Sequence, residues 1–180
     1  MKKVFISYSK KDLLFVNEFI DHLTAFQLDG KVSHWYCTEL TGGSEWNTEI
    51  QKHLDNSDIV CFMVSPNFMR TSYIHEHEIK KAFERKAKAP NFKIVPIILD
   101  FCNWTTQNNN LGDYTALPYT AKPVVDFKNR NMAWYIIVEC LRLMIDKDLQ
   151  PTGDDFYTQQ PFPQDIRSIF ERIVKGSVDA

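Results

Sequence analysis

The chain reads as an α/β domain built on a doubly wound, five-stranded parallel sheet of strand order 2-1-3-4-5. Three observations carry that reading. The run Ile59-Val60-Cys61-Phe62-Met63-Val64 has no charge, as expected of a strand covered on both faces. Strand-like and helix-like segments alternate five times between Lys3 and Ile145, the pattern of a parallel sheet joined by crossover helices. The 180 residues are 44% apolar and 24% charged, enough for one well-filled core.

Taken in order, Lys3–Tyr8 (KVFISY) is the first strand, and Ser9-Lys10-Lys11-Asp12 turns the chain into a helix. Leu13, Val16, Phe19, Ile20 and Leu23 keep helical spacing to about Phe26, and Asp29-Gly30 ends it. Lys31–Tyr36 alternates as a second strand. A polar loop, Cys37–Glu45, carries Gly42-Gly43, whose freedom of φ favours a mobile turn. Trp46–Leu54 is a short helix with Ser44 placed to cap it. The third strand, Asp58–Val64, ends at Pro66-Asn67, and Ser72 is placed to cap a helix from about Tyr73 to Lys88. Phe92–Leu99 is the fourth strand, where Pro96 suggests a strand end or a bulge. The long polar connection from Asp100 to Lys122 is expected to be functional or specially packed. Pro123–Phe127 is the candidate fifth strand and Met132–Ile145 the closing helix. Residues 147–161 turn polar, and Pro163–Val174 carries one more apolar stripe in Ile166, Ile169, Phe170 and Ile173. This divides the chain into a domain over 1–146 and a linker with a helical extension over 147–180.

Composition narrows the function classes. A formal net charge of −2, with scattered lysines, gives no electrostatic case for nucleic acid. No apolar run approaches the ~18 residues of a membrane span, and the apolar stretch after Lys2-Lys3 is too short for a secretory signal. Cys37, Cys61, Cys102 and Cys140 form no CxxC pair. They read as reduced thiols, and the expected location is the cytoplasm.

In a 2-1-3-4-5 sheet the binding crevice lies between the carboxyl ends of strands one and three. Ser7-Tyr8-Ser9 and the Ser65–Glu78 stretch therefore flank one crevice. Paired acids after strand one, as a phospho-receiver needs, are absent. So are GxGxxG, a P-loop and a GxSxG elbow around Ser65. His75 and His77, two apart, fall on opposite sides of a helix, so no metal site is expected. Glu76 and Glu78 remain. Acids in a first helical turn can simply complement the helix dipole, and periodicity alone does not choose between the two.

FISYSKKD, GGSEW, SDIVCFMVSPNFMRTSYIHEHEI, KIVPIILDFCNW and ALPYTAKPVVDFKNRNMAW together resemble bacterial Toll/interleukin-1 receptor (TIR) domains. The resemblance runs in order from about Lys3 to Ile145, and the fold it implies is the same doubly wound, flavodoxin-like sheet. It also implies cleavage of NAD at the nicotinamide–ribose bond. The products would be ADP-ribose or a cyclic or conjugated form, in bacterial immune, anti-phage signalling. NAD would be the substrate, with no further cofactor. In the family the catalytic acid is followed by an apolar residue and, four on, by a small one. Glu78, with Ile79 and Ala82, fits. Such a carboxylate suits an oxocarbenium-like transition state.

Ser7, Tyr8 and Ser9 at the end of the first strand either line the nucleotide cleft or serve as turn and cap residues, Ser65 is expected to bind the nucleotide, and Trp46 or Trp35 either stacks on nicotinamide or adenine or packs in the core. Trp104 and Trp134 fall at family positions but read as structural. The Cys37–Glu45 loop is expected to contact a neighbouring copy on assembly. With no second large domain in the sequence, the expected arrangement is a stand-alone enzyme or one recruited by a separate effector or sensor protein. Two rival readings stand beside this one: a TIR scaffold that assembles without catalysis, and a nucleoside-processing transferase using the same glutamate.

Overall fold

A computed structural model describes residues 1–37, 46–105, 110–118 and 121–148, with the backbone alone at 46, 147 and 148. β3 (Ile59–Val64) is buried at every residue, as its uncharged sequence requires. It pairs in parallel with β1 (Lys2–Ser7) on one side and β4 (Lys93–Ile98) on the other, and β1 pairs with β2 (Val32–Tyr36). The order is β2-β1-β3-β4.

Side-chain alternation divides the core in two. Val4, Ile6, Cys61, Met63, Val95 and Ile97 face α1 (Leu13–Leu28) and α5 (Arg130–Asp148). Phe5, Val60, Phe62, Val64, Ile94 and Ile98 face α2 (Trp46–Asp55) and α4 (Lys80–Lys88). The long connection after β4 packs onto this second face through buried Leu111, and the Tyr114 ring lies 5.6 Å from that of Phe83.

Two expectations change at β4. Pro96 makes neither a strand end nor a bulge, since the pairing with β3 runs straight through Phe62↔Pro96. Its carbonyl accepts from Leu117 N at 2.8 Å on the outer edge. Its donor-less nitrogen points to that same edge, the one place a strand proline is harmless. The fifth strand is also different. Pro123–Phe127 contains a 3-10 turn, Val124–Asp126, in which Asp126 N donates to Pro123 O and Phe127 N to Val124 O, while Val125 N reaches Leu99 O, just past β4, at 3.1 Å. Only an isolated parallel bridge, Ile97↔Leu117, stands beside β4 among the described residues. The sheet described therefore has four strands.

The crossover after β3 differs as well. Ser65, not Ser72, is the first cap: Phe68 N donates to Ser65 Oγ at 3.0 Å, starting a one-turn helix, α3 (Pro66–Met69), with Pro66 where its missing N–H costs nothing. The next helix begins at residue 72 and passes through a π-helical stretch, Ile74–Ile79, before continuing as α4. α5 runs on to Asp148, past the expected domain boundary at 146. The extension beyond 148 and residues 38–45 of the expected assembly loop lie outside the described residues.

Candidate functional site

The crevice at the carboxyl ends of β1 and β3 is built around a polar joint. Asp12 is buried, in the 3-10 turn Lys10–Asp12 that follows β1. Its carboxylate accepts from Ser65 Oγ at 2.5 Å and from Asn67 Nδ2 at 2.8 Å. One acid thus ties the loop after β1 to the loop after β3. By sequence Asp12 is only the last residue of the turn into the first helix. Only the β1–β3 pairing brings Ser65, 53 residues away, within reach. Asp12→Ala, which strands the Ser65 hydroxyl and the Asn67 amide, should cost about 2–3 kcal/mol in urea unfolding, and Asp12→Asn clearly less. Equal costs for the two would show that the carboxylate is not the tie.

Beside this joint the π-turn separates the two candidate acids. π-helical insertions alter which side chains a helix turns inward, and they recur at functional sites. Here Ile74, Glu78 and Ile79 are buried, while Glu76 is exposed. Glu78 retains only 6% of its accessible surface. Burial, which disfavours the charged form, pushes its carboxyl from 4.5 up to about 7, and the neighbouring Ser7 hydroxyl pulls the other way. Two tyrosines feel the same carboxylate. Tyr8 and Tyr73 are both raised to about 12, chiefly by burial and then by nearby negative groups, Glu78 among them. Tyr8 donates its hydroxyl to Cys37 O at 2.5 Å, and Tyr73 to Asn47 Oδ1 at 2.7 Å. The site is therefore an enclosed carboxyl that can change charge near neutral pH, rimmed by neutral hydroxyls.

The other expected residues fall as follows. Ser7 is buried at the end of β1, and Ser9 is buried two residues on, its carbonyl accepting from Asp12 N at 2.7 Å. Ser65 commits its hydroxyl to Asp12 and to the Phe68 amide. Trp35 is half-buried and stacks on Phe5, 5.2 Å between centroids, and on His53, 4.2 Å, so its ring helps seat α2 on the sheet. Trp46 opens α2. His75 Nε2 lies 3.1 Å from Met69 O, and the His77 ring packs on Tyr73 at 4.7 Å. Tyr73 and Cys37 were not singled out by the sequence. A half-buried residue at a helix start and a loop cysteine carry no pattern that would mark them.

The TIR domain family model matches residues 4–137. This chain belongs to the TIR family. The uncharacterized protein y4lF of Sinorhizobium fredii (strain NBRC 101917 / NGR234) is 25% identical to it over 142 residues, 79% of this TIR chain and 43% of that protein. The chain thus spans under half the length of that curated relative. Among solved structures, the TIR domains of the activated Roq1 resistosome directly recognizing the pathogen effector XopQ align at a TM-score of 0.45 and 19% identity, over 96% of this chain and 99% of that one. TIR domains include NAD-cleaving enzymes, and among the described residues no helix is long and apolar enough to cross a membrane.

Proposed function

We propose that this TIR chain cleaves NAD at the nicotinamide–ribose bond, with Glu78 as the catalytic carboxylate. One observation carries the reading: of two acids in the same helix, Glu78 is enclosed at the sheet's switch point while Glu76 faces solvent. As the C1′–N bond breaks, its electron pair leaves with nicotinamide, which departs neutral, and positive charge develops on the ribose. A fixed carboxylate in a water-poor site stabilises that charge far better than one in bulk water. Water then adds at C1′ and releases a proton, giving ADP-ribose; attack by an internal nucleophile instead gives a cyclic product, and an added acceptor a conjugate. The product would act in bacterial immune, anti-phage signalling. Copies would associate through the Cys37–Glu45 loop, alone or with a separate effector or sensor.

The deciding experiment is nicotinamide release from NAD at high protein concentration, by the wild type, Glu78→Ala and Glu76→Ala. Release lost in Glu78→Ala and kept in Glu76→Ala is the expected result. Loss in Glu76→Ala alone would move the chemistry to the exposed acid. A wild type silent even in crowded assemblies would leave the non-catalytic scaffold as the reading.

A further inference from the structure

Phe5 lies on the face of β1 that α2 and α4 cover. Two residues on, Ser7 points to that same face, toward the carboxyl that Glu78 carries in from the π-turn. Ser7 is 1% exposed, and among the described residues nothing meets hydrogen-bond geometry with its Oγ. A buried hydroxyl left in that state calls for a reason. The neighbouring hydroxyls do not share its position. Each has a single proton to give; Tyr8 gives it to Cys37 O and Tyr73 to Asn47 Oδ1.

We propose that Ser7 is a positioning residue for Glu78: its buried, uncommitted hydroxyl turns onto the carboxylate when that group ionises, holding it charged and in one orientation. The bond that forms, O–H to a carboxylate oxygen, is of the stronger, charge-assisted kind. This role differs from lining the nucleotide cleft, and as a role in catalysis it rests on Glu78 being the acid of NAD cleavage.

The surroundings leave that task to Ser7. Among the described residues, the titratable groups that sense Glu78 are Tyr8 after β1 and Tyr73 at the helix start, with Cys37 acting on both tyrosines, and none of these brings positive charge. Several cations of the adjoining elements are engaged with other groups. Lys81 pairs with Asp55 at 3.0 Å, Lys52 and His53 flank Glu49, and Arg70 reaches Asn67 Oδ1 at 3.0 Å. Ser7 stands close enough to Glu78 that its hydroxyl pulls the carboxyl down against burial, the direction that favours the charged form.

The test is the titration of Glu78 itself, read by 13C NMR on the full chain with labelled glutamate and assigned with Glu78→Gln. Ser7→Ala should raise the midpoint by about one pH unit, a tenfold loss of acidity. Ser7→Thr, which keeps the hydroxyl, should stay near the wild type. The acid limb of kcat for NAD cleavage should move with the midpoint while KM stays put. An unmoved midpoint in Ser7→Ala overturns the proposal, as does a change in KM alone, which would give Ser7 to the substrate. If the midpoint moves but the wild type releases no nicotinamide, the Ser7–Glu78 pairing stands and the NAD reading falls.

Discussion

Glu78→Gln should abolish NAD cleavage and, at pH 8, make the protein more stable. The two effects share one cause. Burial raises the folded-state carboxyl from 4.5 to about 7, so the folded chain binds a proton there more tightly than the unfolded chain does. The stability linked to that proton is fully present below about pH 4.5 and is lost as pH rises through about 7. A shift of this size corresponds to about 3 kcal/mol at most. Glutamine carries no charge to desolvate but brings an amide that needs partners, so the net gain at pH 8 should be roughly 1–2 kcal/mol, a rise in Tm of several degrees. At pH 4.5 the gain should vanish. Activity should fall by about 100-fold or more, the usual cost of removing a preorganised electrostatic group. In the wild type the rate should climb with pH through about 7, where the carboxylate forms, while the linked stability declines. Thermal unfolding of both proteins at pH 4.5 and pH 8 checks this. Equal destabilisation of Glu78→Gln at both values would mean that the carboxylate makes stabilising contacts in the fold, and the opposition of stability and function would be wrong.

What the sequence could and could not reveal follows from the range of each interaction. β3 was legible because an uncharged run has few other places to be, and the four paired strands followed from the alternation around it. The fifth strand was not: Pro123–Phe127 has the composition of a short strand, but Asp126 N and Phe127 N bond within a local turn and only Val125 N reaches Leu99 O, and no periodicity reports that. Pro96 misled for a related reason, because which edge its nitrogen faces depends on a partner strand. At the site, residue pattern alone could not choose between Glu76 and Glu78, since helical spacing assumes a uniform helix and the π-turn breaks that assumption just there. The family resemblance favoured Glu78 on its neighbours Ile79 and Ala82; the backbone buries Glu78 and leaves Glu76 exposed. Asp12 lay beyond reach, because its meaning comes from a serine and an asparagine in a distant loop.

Trp134→Ala should be the most damaging of the core truncations, yet leave Glu78's chemistry intact in the molecules that fold. Trp134 is fully buried between α5 and α1, its ring 5.7 Å from that of Phe19. Its Nε1 donates to Glu18 Oε2 at 2.8 Å, and Arg130 pairs with the other oxygen of the same carboxylate at 2.6 Å. Truncation removes the ring, opens a cavity and takes one of two partners from Glu18, together about 3–5 kcal/mol. Against a typical domain stability of 5–15 kcal/mol, that is a third or more of the total. Trp134→Phe keeps most of the volume and loses the donor, so roughly 1–2 kcal/mol is expected. Denaturant midpoints rank the three proteins. A Trp134→Phe variant as damaged as Trp134→Ala would mean that the Glu18 bond, rather than packing, holds α5 to α1. The Glu78 titration in folded Trp134→Ala should match the wild type, because Trp134 packs on the α1–α5 face of the sheet and Glu78 approaches the other. A shifted midpoint would instead show that the two faces are mechanically coupled through β1 and β3, and the site would then extend through the sheet.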